Sequence, residues 1–182
     1  HKDLFVHVDW MQPDPLRPAV IFKPDPRAIQ MVIDTFAIAP DQNNPDHKPG
    51  VHLHVDLGPD SIMNPVTREK WTTKYSKADA VPFQESTGTL EFGATITEET
   101  YGWSDFVDIK KMHFDKAKRG AIFHYALFAN ALSGLLNSGV SRGNPSADFL
   151  VTLGKALTPG GTTIEQAGTF MHELGHNLAL RH

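Results

Sequence analysis

The stretch MHELGHNLALRH, residues 171–182, places three histidines and one glutamate within eleven positions. These residue types hold divalent ions and move protons. His172 and His176 are four residues apart, so on a helix their imidazoles stand about 40° apart and one turn along, facing one ion. Glu173 projects roughly 60 to 100° further round. It is too close in sequence to be an easy third ligand, yet well placed to take a proton from activated water and pass it to a leaving amine. His182 is the remaining donor for a three-ligand site. In an unbroken helix it would be turned about 240° away from His176, so the spacing predicts a helix that stops around 177–180 and a chain that doubles back. The sequence has no cysteine, so His, Asp or Glu must supply the ligands of any metal.

The elements that must position these residues are legible in part. Thr162 and Glu165 form a capping-box signature, and Ile164, Ala167, Met171, Leu174 and Leu178 make an apolar stripe that predicts the buried side of the last helix. On that reading the two histidines lie off the buried side, with Glu165 and Thr169. Alternation predicts strands over 4–10 and 51–57, and Asp25-Pro26 starts a helix that ends near Pro40. Residues 122–130 and 148–153 read as further strands, and SGLLNSGVSRGNPSA between them as a loop. Within 58–118, TGTLEFGATITEET suggests a hairpin, whereas WSDFVDIKKMHF carries no clear period. The expected fold is α+β, an α/β-like twisted mixed sheet with a backing helix and a C-terminal active-site helix. Residues 1–182 read as one domain, and 58–118 as a candidate insertion within it.

Composition narrows the function classes. With 182 residues, 40% hydrophobic and 21% charged, the chain is long enough to bury a core. A formal charge of −4 argues against a nucleic-acid partner, and no apolar run approaches the roughly 20 residues that span a bilayer. The start HKDLFVHVDW has neither signal-peptide nor transit-peptide character.

HELGHNLALRH resembles the HExxHxxGxxH signature of the metzincin metallopeptidases. The resemblance implies zinc held by His172, His176 and His182, with Glu173 as catalytic acid and base. It also implies a secreted zinc endopeptidase whose polypeptide substrate lies extended along an edge strand, supplied by 122–130 or by the segment around 90–97. In that clan the chain continues past the third histidine into a methionine-containing turn and a lower subdomain, so residues 1–182 correspond to the upper subdomain. Ala179 departs from the pattern, standing where those families have a glycine. A left-handed Ala costs roughly 1 to 2 kcal/mol; alternatively Asn177 takes part of the turn. Because the ligands must be neutral, metal affinity is expected to fall as pH drops through about 6.5. Two other readings keep His172 and His176: a thermolysin-like (gluzincin) peptidase with a glutamate ligand beyond residue 182, and a non-catalytic domain with a structural zinc.

Other clusters invite blander readings. His52, His54 and Asp56 share a strand face and with His7 or His124 offer a second metal site, but polar residues alternating on a half-exposed strand need no ion. Asp41, Asn43, Asn44 and Asp46 in DQNNPD offer oxygen ligands for Ca2+ without the spacing of an EF-hand loop. Trp71, Tyr101 and Trp103 read as core cover, with a substrate cleft as the alternative.

Overall fold

The computed structural model describes residues 2–40, 44, 46–90, 101–133 and 137–182. The fold is mixed α+β, as expected. Its elements, in order, are β1 (Asp3–Met11), α1 (Pro26–Ala37), β2 (His52–Asp56), β3 (Ala80–Val81), β4 (Thr89–Leu90), β5 (Tyr101–Gly102), α2 (Ser104–His113), α3 (Lys116–Arg119), β6 (Phe123–Phe128), β7 (Gly139–Ser141), β8 (Asp148–Val151) and α4 (Thr163–Asn177).

The main sheet has the strand order β2-β1-β6-β8-β7, and β3 extends it by pairing with the end of β1. Strands β2, β1, β6 and β8 run parallel; β7 runs antiparallel to β8 and forms one edge. The two faces of β1 divide the core. Val6 and Val8 pack with Ile29, Val32 and Ile33 of α1 and with Phe170 and Leu174 of α4. Met11, with Tyr125 and Leu127 of β6, meets Phe106 and Ile109 of α2. Helices on both faces explain the continuous apolar runs of β6 and β8, because a parallel strand is covered on each side.

One open segment is assigned and two expectations are corrected. WSDFVDIKKMHF is helical as α2, and its weak period arises because only Phe106 and Ile109 of that helix are buried. The presumed loop after β6 contains β7, whose Gly-Val-Ser sequence is too short for a period to register. The polar face of β2 is not half-exposed: Asp56 is wholly buried and His54 nearly so, and beside them His7 and Asp9 of β1 are wholly buried. Arg119 supplies the counter-charge for Asp56, donating to its Oδ2 at 2.7 Å and to His7 Nδ1 at 2.9 Å. The Tyr125 hydroxyl donates to Asp9 Oδ2 at 2.9 Å, and burial, with Asp9 beside it, raises the phenol well above its ordinary pKa. The suggested hairpin falls mostly on 91–100, outside the described residues; the flanking β4 and β5 pair antiparallel.

Candidate metal centre

Helix α4 begins as its sequence dictates. Thr162 Oγ1 accepts from the Glu165 amide at 3.2 Å, and Glu165 Oε2 accepts from the Thr162 amide at 2.7 Å, the reciprocal cap that satisfies two otherwise orphaned donors. Its buried side differs from the apolar stripe. Ile164, Met171 and Leu178 are 72%, 41% and 38% exposed, while Gln166, Thr169, Glu173, His176 and Asn177 are buried beside Ala167, Phe170 and Leu174. The helix is therefore rolled about 100° from the orientation the stripe suggests. Hydrogen bonds make the half-polar interface tenable, and hydrophobic periodicity gives them no weight. Gln166 Oε1 accepts from the Asp25 amide at 2.8 Å. Asn177 Nδ2 donates to Ser141 Oγ at 2.7 Å and to the Asp148 carbonyl at 3.1 Å, and its Oδ1 accepts from His124 Nδ1 at 2.9 Å.

The roll carries Glu173 under the edge strand. A Cβ on Gly139 would lie 2.8 Å from Glu173 Cγ and 2.7 Å from Thr169 Cγ2, so only glycine lets β7 come this close to the helix.

The helix ends at Asn177, and Ala179 takes the left-handed conformation with φ 69°. The Ala179 amide donates to the His176 carbonyl and the Leu180 amide to the Gly175 carbonyl, each at 3.0 Å. This pair of bonds is a Schellman motif, normally closed by glycine. Asn177 stays helical and takes no part in the left-handed turn; its side chain anchors the helix end to β6, β7 and β8.

The turn brings the three histidines together. Ring centroids are 4.7 Å apart for His172 and His176, 5.0 Å for His172 and His182, and 4.8 Å for His176 and His182. One nitrogen from each lies within 4.8 Å of the other two, and among the described residues no other group of three His, Asp or Glu side chains is so arranged. The Nε2 atoms of His172 and His176 are 3.1 Å apart. A tetrahedral ion at about 2.0–2.1 Å from each imidazole sets donors about 3.3 Å apart, so the group fits after side-chain adjustments of the order of 1 Å. His176 is buried, whereas His172 and His182 are exposed. His176 Nδ1 lies 3.0 Å from the Leu180 carbonyl oxygen. A carbonyl only accepts, so Nδ1 carries the proton and Nε2 keeps its lone pair for a metal. The three-imidazole group can hold a metal ion.

Beside the triad, on the side away from β7, a cavity of about 490 Å3 opens between Phe36 and Ala39, near the end of α1, and Met171, Gly175 and Leu180. The remaining clusters are otherwise engaged. His54 Nδ1 donates to the Met63 carbonyl at 2.6 Å, and its Nε2 meets Asp3 at 2.9 Å. Asp56 is taken up by Arg119, Ser76 and the Lys77 amide, and His124 by Asn177. Of the residues weighed for Ca2+, Asp41 and Asn43 lie outside the described residues; Asn44 donates to the Lys48 and Gly50 carbonyls, and Asp46 pairs with Lys2. Trp71 is buried, its indole donating to the Val55 carbonyl at 2.9 Å, and Trp103 packs edge-on against Phe106. The side chain of Tyr101 lies outside the described residues.

Two features of the site escaped the sequence reading: the edge strand β7, and Asn144 in the connection from β7 to β8. Residues 122–130, expected as a substrate-binding edge, form β6 in the sheet interior between β1 and β8; the alternative around 90–97 falls largely outside the described residues. Compared with family models, curated proteins and solved structures, the chain matches none.

Proposed function

We propose that the chain is a zinc-dependent endopeptidase domain of metzincin type, hydrolysing peptide bonds with Glu173 as general base. The observation that carries this reading is the convergence of His172, His176 and His182 through a left-handed turn at Ala179, on the same helix as Glu173. Zinc bound by three imidazoles lowers the pKa of water and polarises a carbonyl. Glu173, one residue from His172 and three from His176, accepts the proton of the attacking water. It returns that proton to the amine as the C–N bond breaks. The edge of β7 that faces away from β8 offers backbone groups to an extended polypeptide, beside the helix turn that carries Glu173. Secretion is part of the same proposal and rests on the family resemblance alone.

Two observations favour this reading over its rivals. His182 stands with the other two imidazoles and supplies the third protein ligand, the place a glutamate from another helix fills in the rival reading. Solvent reaches His172 and His182, which suits an open coordination position better than a closed structural site. The test is a Glu173→Gln variant assayed for zinc content and for cleavage of unstructured peptides by mass spectrometry. Zinc should be retained while turnover falls by about 10²–10⁴, and His176→Ala should lose both. Turnover undiminished in Glu173→Gln would remove the general-base assignment.

A further inference from the structure

The connection between β7 and β8 meets the end of α4 at a point that no part of the ligand set requires. Asn144 Nδ2 donates to the Leu180 carbonyl oxygen at 2.7 Å and lies 3.3 Å from His176 Nδ1. That carbonyl is also the acceptor of the His176 Nδ1 proton, at 3.0 Å. The amide cannot be turned over without opposing two oxygens at hydrogen-bond distance, so its orientation is determined by Leu180. In this orientation Asn144 Oδ1 is buried without a hydrogen-bond partner among the described residues. A buried amide that leaves one acceptor unpaired gives up stabilisation worth a hydrogen bond, so stability alone does not account for asparagine here.

We propose that Asn144 is a positioning residue for the metal centre, a clamp that acts through the Leu180 carbonyl on two ligands at once. The first is His176. Holding the carbonyl against Nδ1 fixes the ring's tautomer and rotation and leaves Nε2 free to bind, which is the role second-layer acceptors play for metal-bound histidines. The second is His182, two residues beyond Leu180 on an exposed stretch where Leu180, Arg181 and His182 are all open to solvent. The turn bonds to Gly175 and His176 hold this stretch only as far as the Leu180 amide. The bond from Asn144 restrains the next peptide plane, that of Leu180 and Arg181, one residue short of His182. The connection is itself secured to the helix, because the Ser146 amide donates to the Asn177 carbonyl at 3.3 Å and Asn177 Nδ2 donates to Ser141 Oγ and the Asp148 carbonyl. The clamp is thus seated on the sheet edge, independent of the segment it restrains.

This inference rests on metal binding by the three histidines, not on peptidase activity, and its test uses metals alone. Zinc affinity is measured by chelator competition, and the visible d–d spectrum of the Co2+-substituted protein is recorded for wild type, Asn144→Ala, Asn144→Asp and His182→Ala. Both Asn144 variants lack the donating amide. They should bind zinc about 10- to 100-fold more weakly, and their Co2+ bands should shift toward those of His182→Ala, while the metal-free unfolding midpoint of Asn144→Ala stays near wild type. A purely structural role would lower the metal-free midpoint and leave the Co2+ spectrum of the folded fraction unchanged, which overturns the proposal. So does wild-type affinity in both variants. Wild-type protein that binds no zinc overturns the metal centre and this inference together. Should the variants fail to fold, nitrogen-15 spectra of the metal-free wild type decide: a hydrogen-bond coupling from the Asn144 side-chain amide to the Leu180 carbonyl together with a proton on His176 Nδ1 supports the clamp, and loss of that coupling or a proton on Nε2 overturns it.

Discussion

The Leu180 amide reaches back 3.0 Å to the Gly175 carbonyl, closing a loop whose one left-handed residue, Ala179, carries a side chain. This closure turns the chain back so that His182 stands beside His172 and His176. A Cβ in the left-handed region costs about 1 kcal/mol or more relative to glycine. Ala179→Gly is therefore expected to stabilise the protein by about 1 kcal/mol, raising the thermal midpoint by roughly 2–4 °C, and Ala179→Val to lower it. Circular dichroism melts check both, and a lower midpoint for Ala179→Gly would contradict the assignment of strain to this residue.

Gly139 and Glu173 are in contact across the interface of β7 and α4. An added methyl would fall 2.8 Å from Glu173 Cγ and 2.8 Å from the Leu150 carbonyl, so Gly139→Ala must part the strand from the helix. The expected cost is about 1–3 kcal/mol of stability. Because the displaced group is Glu173 and not an imidazole, zinc affinity should stay within a few-fold of wild type while peptide turnover falls by on the order of 10². Denaturant titration, chelator competition and a peptide assay on one preparation separate these effects.

Asn177 holds the end of α4 by donating to Ser141 and Asp148 and accepting from His124. Asn177→Asp keeps the shape but turns the donating amide into a second acceptor facing the Asp148 carbonyl. A loss of about 1–3 kcal/mol is expected in urea unfolding. An unchanged midpoint would mean that the helix end is held by apolar packing alone.

Asp25 couples the starts of the two helices that back the sheet. Its carboxylate caps α1 through the Arg27 amide and accepts from the Thr163 hydroxyl at 2.8 Å. The hydrogen bond from the Arg27 side chain, with those from the Arg27 amide and Thr163, holds its pKa well below the ordinary carboxylate range. A carboxyl group depressed in the folded state contributes stability that is complete above its unfolded pKa, about 3.9, and is lost as pH falls below that value toward the folded one. Asp25→Ala should therefore cost about 1 kcal/mol at pH 7, and its difference from wild type should narrow as pH is lowered below about 4. A difference that widens in acid would contradict this account.

The site was legible in the sequence wherever its logic is local. His172, Glu173 and His176 are set by helical spacing, the cap by Thr162 and Glu165, and the break in the helix by the requirement that His182 return. What escaped depends on contacts between distant segments. The buried side of α4 departs from its apolar stripe because Gln166, Glu173 and Asn177 are polar and the apolar Ile164 and Met171 face outward; the hydrogen bonds of Gln166 with Asp25 and of Asn177 with Ser141 and Asp148 make the arrangement intelligible. Strand β7 has one large apolar residue, Val140, and leaves no periodic trace. The polar face of β2 reads as half-exposed because nothing nearby in sequence announces Arg119, 63 residues beyond Asp56 and 112 beyond His7, as the partner of both.

Peptidase chemistry at this site requires three imidazoles sharing one ion with a coordination position left open. X-ray absorption at the zinc edge, on protein loaded with one equivalent of zinc, tests this most directly. Three imidazole nitrogens and one oxygen at about 2.0–2.1 Å are expected, with one imidazole fewer in His182→Ala. A wild-type spectrum with two imidazoles, or with four protein ligands and no solvent oxygen, would contradict it.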